Sequence, residues 1–188
     1  MGRWEPGAGD RLREAALALY LERGFEQTMV ADIADRAGVT SRTFFRHFAD
    51  KREVLFDLSS ELEKKSLAAL EAAPATASTL DVVAAAIDAV ADMIGRDGEL
   101  ARKRHAVITA NADLRERELI KFAYMSAALA DGLRRRGVGD SEASLAAEAG
   151  AAVYRVAFQR WVDASGALDL RDAIRQSFAQ LRSLTASD

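Results

Sequence analysis

Between Thr40 and Arg52 the chain sets Arg42, Arg46, Lys51 and Arg52 against one acid, Asp50, and interleaves them with Ser41, Thr43, Phe44, Phe45 and His47. Guanidinium and ammonium groups neutralise phosphates, and hydroxyls and ring nitrogens donate to phosphate oxygens, so this stretch has the makings of a surface for a polyanion. The excess is local. Residues 1–55 carry 9 basic residues (eight Arg and Lys51) against 9 acidic ones, and the chain of 188 residues has a formal net charge of -3. Charge alone therefore also fits an ordinary solvated face.

Other chemistries find little to work with. There are 0 cysteines, which removes disulfides, thiolate metal sites and cysteine nucleophiles and fits a reducing compartment. A di-metal carboxylate site on helices needs Glu-x-x-His pairs, yet neither His47 nor His105 has Glu three residues earlier. No Gly-rich phosphate loop and no Ser-His-Asp grouping stands out. No cofactor, no metal and no enzymatic activity is expected. The first seven residues lack an apolar leader core, and no uncharged apolar run approaches the roughly 18 residues of a membrane helix, so a soluble cytoplasmic protein without a membrane partner is expected.

The elements that would carry the basic stretch read as helices. Apolar residues recur at helical spacing, as in Leu12, Ala15, Ala16, Leu19, then Val30, Ile33, Ala34, Ala37, then Leu80, Val83, Ala84, Ile87, Val90, Ala91, Ile94. Strict alternation over a strand length is missing, and Ala and Leu, both strong helix formers, dominate. The spacing predicts an all-α fold of about nine helices near 9–24, 28–37, 41–48, 51–73, 79–95, 98–110, 112–136, 141–165 and 169–185. Gly24, Gly38, Pro74, Gly137, Gly139 and Gly166 punctuate it, and Thr28, Thr40, Asp50 with Glu53, and Ser78 with Asp81 supply start signals. Two domains are expected, 1–52 and 53–188, joined directly by the helix that begins at Lys51.

Three short helices in the first third, joined by connections of about three residues, must cross steeply. The second would bury Val30, Ile33, Ala34 and Ala37, Gly38 would make the turn, and Val39 would plug the core. The third, 41–48, is only about two turns long and carries its polar donors at its N-terminal end. A helix fits the major groove of B-DNA, where its N-terminal residues reach base edges and its exposed N–H groups favour phosphate. Arg42 is the candidate base reader. Phe44, Phe45 and Phe48 can equally be the core of a three-helix bundle. Phe48 is expected inside, and Phe45 is left open between packing inward and laying an edge on the sugar-phosphate backbone. His47 reads as a packing or phosphate-contacting residue.

Gly24-Phe25, Thr28, Ile33-Ala34, Ala37-Gly38-Val39-Thr40, Thr43, Phe45, His47-Phe48 and Lys51 together resemble the N-terminal signature of TetR-family regulators, and Arg3-Trp4-Glu5-Pro6 resembles the arm that precedes it in many members. The resemblance implies that Thr28, Thr40, Thr43, His47 and Lys51 contact backbone phosphates or hold the recognition helix, while Arg42 and Phe44 face the groove; Ser41, Phe45 and Arg46 complete the expected DNA-binding set. Arg42 stands where the family often has glycine and Phe45 where it usually has tyrosine, so operator contacts do not transfer.

For the remainder the resemblance implies a helical domain with a ligand cavity and a two-helix dimerisation surface. Small residues from Ser144 to Val153 would admit a partner helix, and Leu170, Ile174, Phe178 and Leu181 form an apolar stripe, although packing within one chain explains both patterns. Two copies would set recognition helices about 34 to 36 Å apart, the spacing of successive major grooves. Met93, Phe122, Met125, Tyr154, Phe158 and Trp161 are the candidates to line a pocket for a small-molecule effector, each also explicable as plain core. His105 after Arg102-Lys103-Arg104 reads as a solvated basic face. The expected function is a ligand-responsive regulator, of repressor type, that binds palindromic double-stranded operator DNA as a homodimer through its last two helices. The alternatives are a helix-turn-helix-shaped interaction module without DNA binding and a helical enzyme.

Overall fold

The structure, a computed structural model, describes residues 7–164 and 166–186. Among them the chain forms nine α-helices: α1 (Ala8–Arg23), α2 (Val30–Arg36), α3 (Ser41–His47), α4 (Ser59–Ala72), α5 (Thr79–Gly95), α6 (Gly98–Ala110), α7 (Ala112–Arg135), α8 (Asp140–Asp163) and α9 (Leu170–Thr185). A short 3-10 helix, Glu53–Phe56, lies between α3 and α4. The all-α expectation holds. The resemblance to an N-terminal arm at Arg3 to Pro6 lies outside the described residues.

One expected helix is two elements. Instead of a continuous rod from Lys51, the chain makes the 3-10 turn and only then enters α4 at Ser59. Tyr20 Oη donates to the carbonyl of Lys51 at 2.6 Å, and Arg104 Nε donates to that of Leu55 at 2.5 Å. Those oxygens are the ones an α-helix would give to the amides of residues 55 and 59. The Leu55 amide turns instead to the Arg52 carbonyl, three residues back, at 3.1 Å. Long-range side chains thus override the local helical pattern.

The chain divides into two compact units. The first unit takes the chain up to Leu58 together with Arg102–Glu118; the second takes Ser59–Ala101 and the chain from Leu119 onward. Both α6 and α7 therefore contribute residues to each unit. In the first unit α1, α2, α3 and the 3-10 helix bury Leu12, Leu19, Phe25, Ile33, Phe44 and Phe56, and Val107, Ile108 and Leu114 join the same core.

In the second unit α5 packs against α4, α8 and α9. The small residues of α8 make this possible: Ala143, Ala147, Gly150 and Ala157 are buried, and a Cβ at Gly150 would overlap Val83 Cγ1 and stand 3.0 Å from Ile87 Cδ1. Leu170, Ile174 and Phe178 of α9 are buried in this core too. Part of the patterns that could have marked a dimer interface is thus taken up within one chain, because α5 needs a close approach to α8 and α9. Left exposed on α8 are Leu145 (72%) and Val156 (54%), with Ala152 between them.

Candidate nucleic-acid interface

The link between α2 and α3 is fixed by backbone hydrogen bonds. The Val39 amide reaches back to the Ala34 carbonyl at 2.9 Å and the Gly38 amide to Asp35 at 3.1 Å, the paired bonds of a Schellman C-cap. That motif requires a left-handed residue at Gly38, where φ is 67°. Half-buried Val39 packs onto the core, and Thr40 then caps α3, its Oγ1 accepting from the Thr43 amide at 3.2 Å. Arg11 Nε donates to the Ala37 carbonyl at 3.1 Å and ties α1 to the same corner.

On α3 the side chains separate by face. Phe44 is 0% exposed and packs edge-on to Phe45 and against Phe48, with ring centroids 5.4 and 5.5 Å away. The expectation that Phe44 faces a groove is therefore corrected: its position on the helix points it at α1 and α2, whose apolar residues would otherwise lie in water. Phe48 is buried as expected. Arg42, Phe45 and Arg46, spaced i, i+3, i+4, share the outward edge. Ser41, Arg42, Arg46 and His47 are all exposed, Phe45 is 57% exposed, and Thr43 is half-buried beside the cap. Neither Arg42 nor Arg46 has an ion-pair partner among the described residues.

Two residues that the resemblance put either on a phosphate or holding the recognition helix act inward. Thr28 is buried, and its hydroxyl donates to the Gly24 carbonyl at 2.8 Å; the N-cap position of α2 is Met29, whose amide donates to Asp32 Oδ2 at 3.0 Å. The cap expected at Thr28 is corrected to Met29, and of the two roles the resemblance implied, a phosphate contact or holding the recognition helix, burial leaves only the second. Lys51 is half-buried. Its ammonium donates to the carbonyls of Phe25 at 2.9 Å, Thr28 at 3.1 Å and Glu26 at 3.4 Å, and sits 4.3 Å from the centre of the Phe25 ring. With all three protons directed at backbone oxygens, Lys51 staples the α1–α2 turn, which places it among the residues that hold the motif.

Asp50 and Arg52 also turn to each other. The Asp50 carboxylate accepts from the Arg52 guanidinium at 2.7 Å and from the amides of Arg52 and Glu53 at 2.7 and 3.2 Å. Burial raises the Asp50 pKa, but these hydrogen bonds and the Arg52 charge outweigh it and hold the carboxyl below its ordinary value. Burial, aided by the Asp50 charge, pushes the Tyr20 phenol well above its usual range. Of the four cations in the basic stretch, α3 thus presents two outward, Arg42 and Arg46.

Residues that sequence reasoning missed hold the 3-10 helix. Arg117 Nε donates to Glu53 Oε1 at 2.6 Å, and the Arg104 guanidinium lies 5.1 Å from the Phe56 ring centre while its Nε bonds Leu55. These partners stand 49 and 64 residues apart, so no local pattern announces them. His105, read as part of a solvated face, is half-buried.

In the second unit the structure brings four of the six pocket candidates together. Ring centroids run Phe122 to Tyr154 at 5.8 Å, Tyr154 to Phe158 at 5.8 Å and Phe158 to Trp161 at 5.5 Å, one continuous aromatic row from α7 along α8. Met125 packs half-buried against the core, and Met93 is half-buried on α5.

Residues 12–58 match the family of bacterial regulatory proteins known as the tetR family, and residues 77–186 match the MftR C-terminal domain. The chain belongs to the TetR family, which consists of transcriptional regulators and not of enzymes. It is 45% identical over 91 residues to the HTH-type transcriptional regulator TcmR of Streptomyces glaucescens, a match spanning 48% of this chain and 40% of that protein. Its fold is similar to that of FadR from Thermus thermophilus, a transcriptional repressor solved with lauroyl-CoA (TM-score 0.58, 21% identity, 96% of each chain). It is also similar to SmeT of Stenotrophomonas maltophilia solved with triclosan (TM-score 0.62, 22% identity, 92% of this chain and 90% of that one). Among the described residues no helix is long and apolar enough to cross a membrane.

Proposed function

We propose that this chain is a cytoplasmic, ligand-responsive transcriptional repressor that binds palindromic operator DNA as a homodimer and is released by a small-molecule effector. The observation that carries the reading is the outward edge of α3, where Arg42, Phe45 and Arg46 stand exposed over a helix whose inner face is locked by Phe44 and Phe48. Ser41, Thr40, Thr43 and His47 flank that edge and supply donors for phosphates. Arg42 reads a base edge and Phe45 lays its ring on the sugar-phosphate backbone or a thymine methyl. The exposed stripe Leu145, Ala152 and Val156 of α8 supplies the apolar face for a second copy, with α9 beside it.

Effector control follows from population shift. A ligand that prefers one arrangement of the second unit moves α6 and α7, which also contribute Arg102–Glu118 to the first unit. There Arg104 and Arg117 grip the 3-10 helix, which packs on α1 and shares its core with Phe44 of α3. This route needs no continuous helix from Lys51, which the 3-10 turn interrupts.

The test is fluorescence anisotropy on labelled duplexes from the DNA flanking the protein's own gene, repeated over a salt series. Binding to a specific segment with a steep loss of affinity as salt rises supports the reading. Equal, weak binding to every duplex sinks it and favours an interaction module.

A further inference from the structure

A buried hydroxyl in the second unit has no partner. Ser126 on α7 is 3% exposed and its Oγ makes no hydrogen bond among the described residues. The other buried polar side chains of that unit are paired: Ser66 Oγ donates to the Ala86 carbonyl at 2.7 Å, and Ser177 Oγ accepts from Arg160 at 3.1 Å. An unsatisfied buried hydroxyl costs on the order of 1–3 kcal/mol, so alanine would serve a plain core better. Ser126 lies one helical turn after Phe122, which begins the aromatic row through Tyr154 and Phe158 to Trp161. An orphaned donor thus shares a helix face with the first of four rings.

The chemistry of the surroundings narrows what could meet them. Aromatic faces gain roughly 0.5–1.5 kcal/mol per well-placed ring pair beyond simple burial, a gain an alkyl chain does not share. The charged atoms buried in the second unit, Asp88 Oδ1 and Arg171 Nε, are committed to the ion pairs between α5 and α9, so a carboxylate or phosphate taken in beside the rings would lose its water without a free counter-charge among the buried side chains. We infer that the effector is an uncharged planar aromatic molecule that stacks along the Phe122–Trp161 row and accepts a hydrogen bond from Ser126 Oγ through a carbonyl or ether oxygen. The inference rests on the effector-sensing reading above and names the ligand class of that site.

Calorimetric titration of the full chain with 9-fluorenone, fluorene and dodecanoate tests it. Fluorenone and fluorene share three fused rings and differ in the carbonyl. Fluorenone is expected to bind up to about tenfold tighter than fluorene, the reach of one net hydrogen bond. Ser126→Ala should weaken fluorenone to the level of fluorene, leave fluorene unchanged, and melt no lower than the parent chain without probe. Phe158→Leu should weaken both. Tighter binding of dodecanoate, no effect of Ser126→Ala on fluorenone, or no fluorenone binding by the folded chain up to its solubility limit overturns the assignment. Operator binding measured on the same preparation separates the two levels: if DNA binds and fluorenone fails, only the ligand class falls, whereas a parent chain that binds no operator removes the regulator reading whatever fluorenone does.

Discussion

Helices α3 and α8 both carry aromatic residues in close order, and they use them in opposite ways. In α3 the ring of Phe44, and just past its end that of Phe48, are anchors, and the exposed edge of the helix is the working surface. In α8 the small residues Ala147, Gly150 and Ala157 anchor the helix, while Tyr154, Phe158 and Trp161 form the candidate working row. A seven-residue helix has too little area to stay put without large buried side chains, whereas a 24-residue helix is also held by close backbone approach, so that only Trp161 of its row is fully buried and Tyr154 and Phe158 stay half-buried.

The largest expected effect comes from removing an anchor. Phe44→Ala should cost about 3–5 kcal/mol in urea unfolding of the first unit, because the ring is wholly buried; a loss under 1 kcal/mol would mean that Phe44 is not the pin of α3. Its counterpart in the second unit is Gly150→Ala, which forces a methyl into Val83 and should cost about 1–3 kcal/mol, visible as a lower melting temperature. An unchanged melting temperature would show that α5 and α8 can separate freely.

On the working edge, Arg42→Ala should cost roughly 1–3 kcal/mol of operator affinity and relax preference at one base position. Lys51→Met sharpens the contrast between edge and anchor. It should destabilise the first unit by about 1–2 kcal/mol while leaving the slope of log affinity against log salt unchanged; a slope reduced by about one, with normal stability, would return Lys51 to the phosphate contacts. The smallest effect concerns Asp50. A carboxyl whose folded pKa is depressed adds stability above its unfolded pKa and loses it as pH falls through the folded value. The stability gap between the parent chain and Asp50→Asn, measured by denaturant titration, should close as pH drops below the usual carboxylate range. A constant gap would show that the Arg52 pairing contributes nothing.

What the sequence disclosed divides along the same line. Helices α1 to α3, the turn at Gly38 and the caps at Thr40 and Ser78 were legible because caps, glycines and apolar periodicity act within a few residues. The break before α4 was not, since Tyr20 and Arg104 reach it from 31 and 49 residues away. Phe44 and Phe45 are adjacent aromatic residues, and only packing against α1 and α2 decides which goes in. Likewise Leu170, Ile174 and Phe178 read as an interface or a core with equal ease until α5 is in place. The aromatic row could be nominated residue by residue, but Ser126 carries no signal in a chain rich in small residues; its meaning comes from burial without a partner.

The central claim is that the outward edge of α3, presented twice, reads DNA. Selection of bound duplexes from a random-sequence library, with sequencing of the enriched pool for the parent chain and for Arg42→Ala, tests it most directly. The expected result is an inverted repeat with half-sites centred about one helical turn or a multiple apart, and loss of preference at one position in each half-site for the variant. No enriched sequence, or an identical site with and without Arg42, would contradict it.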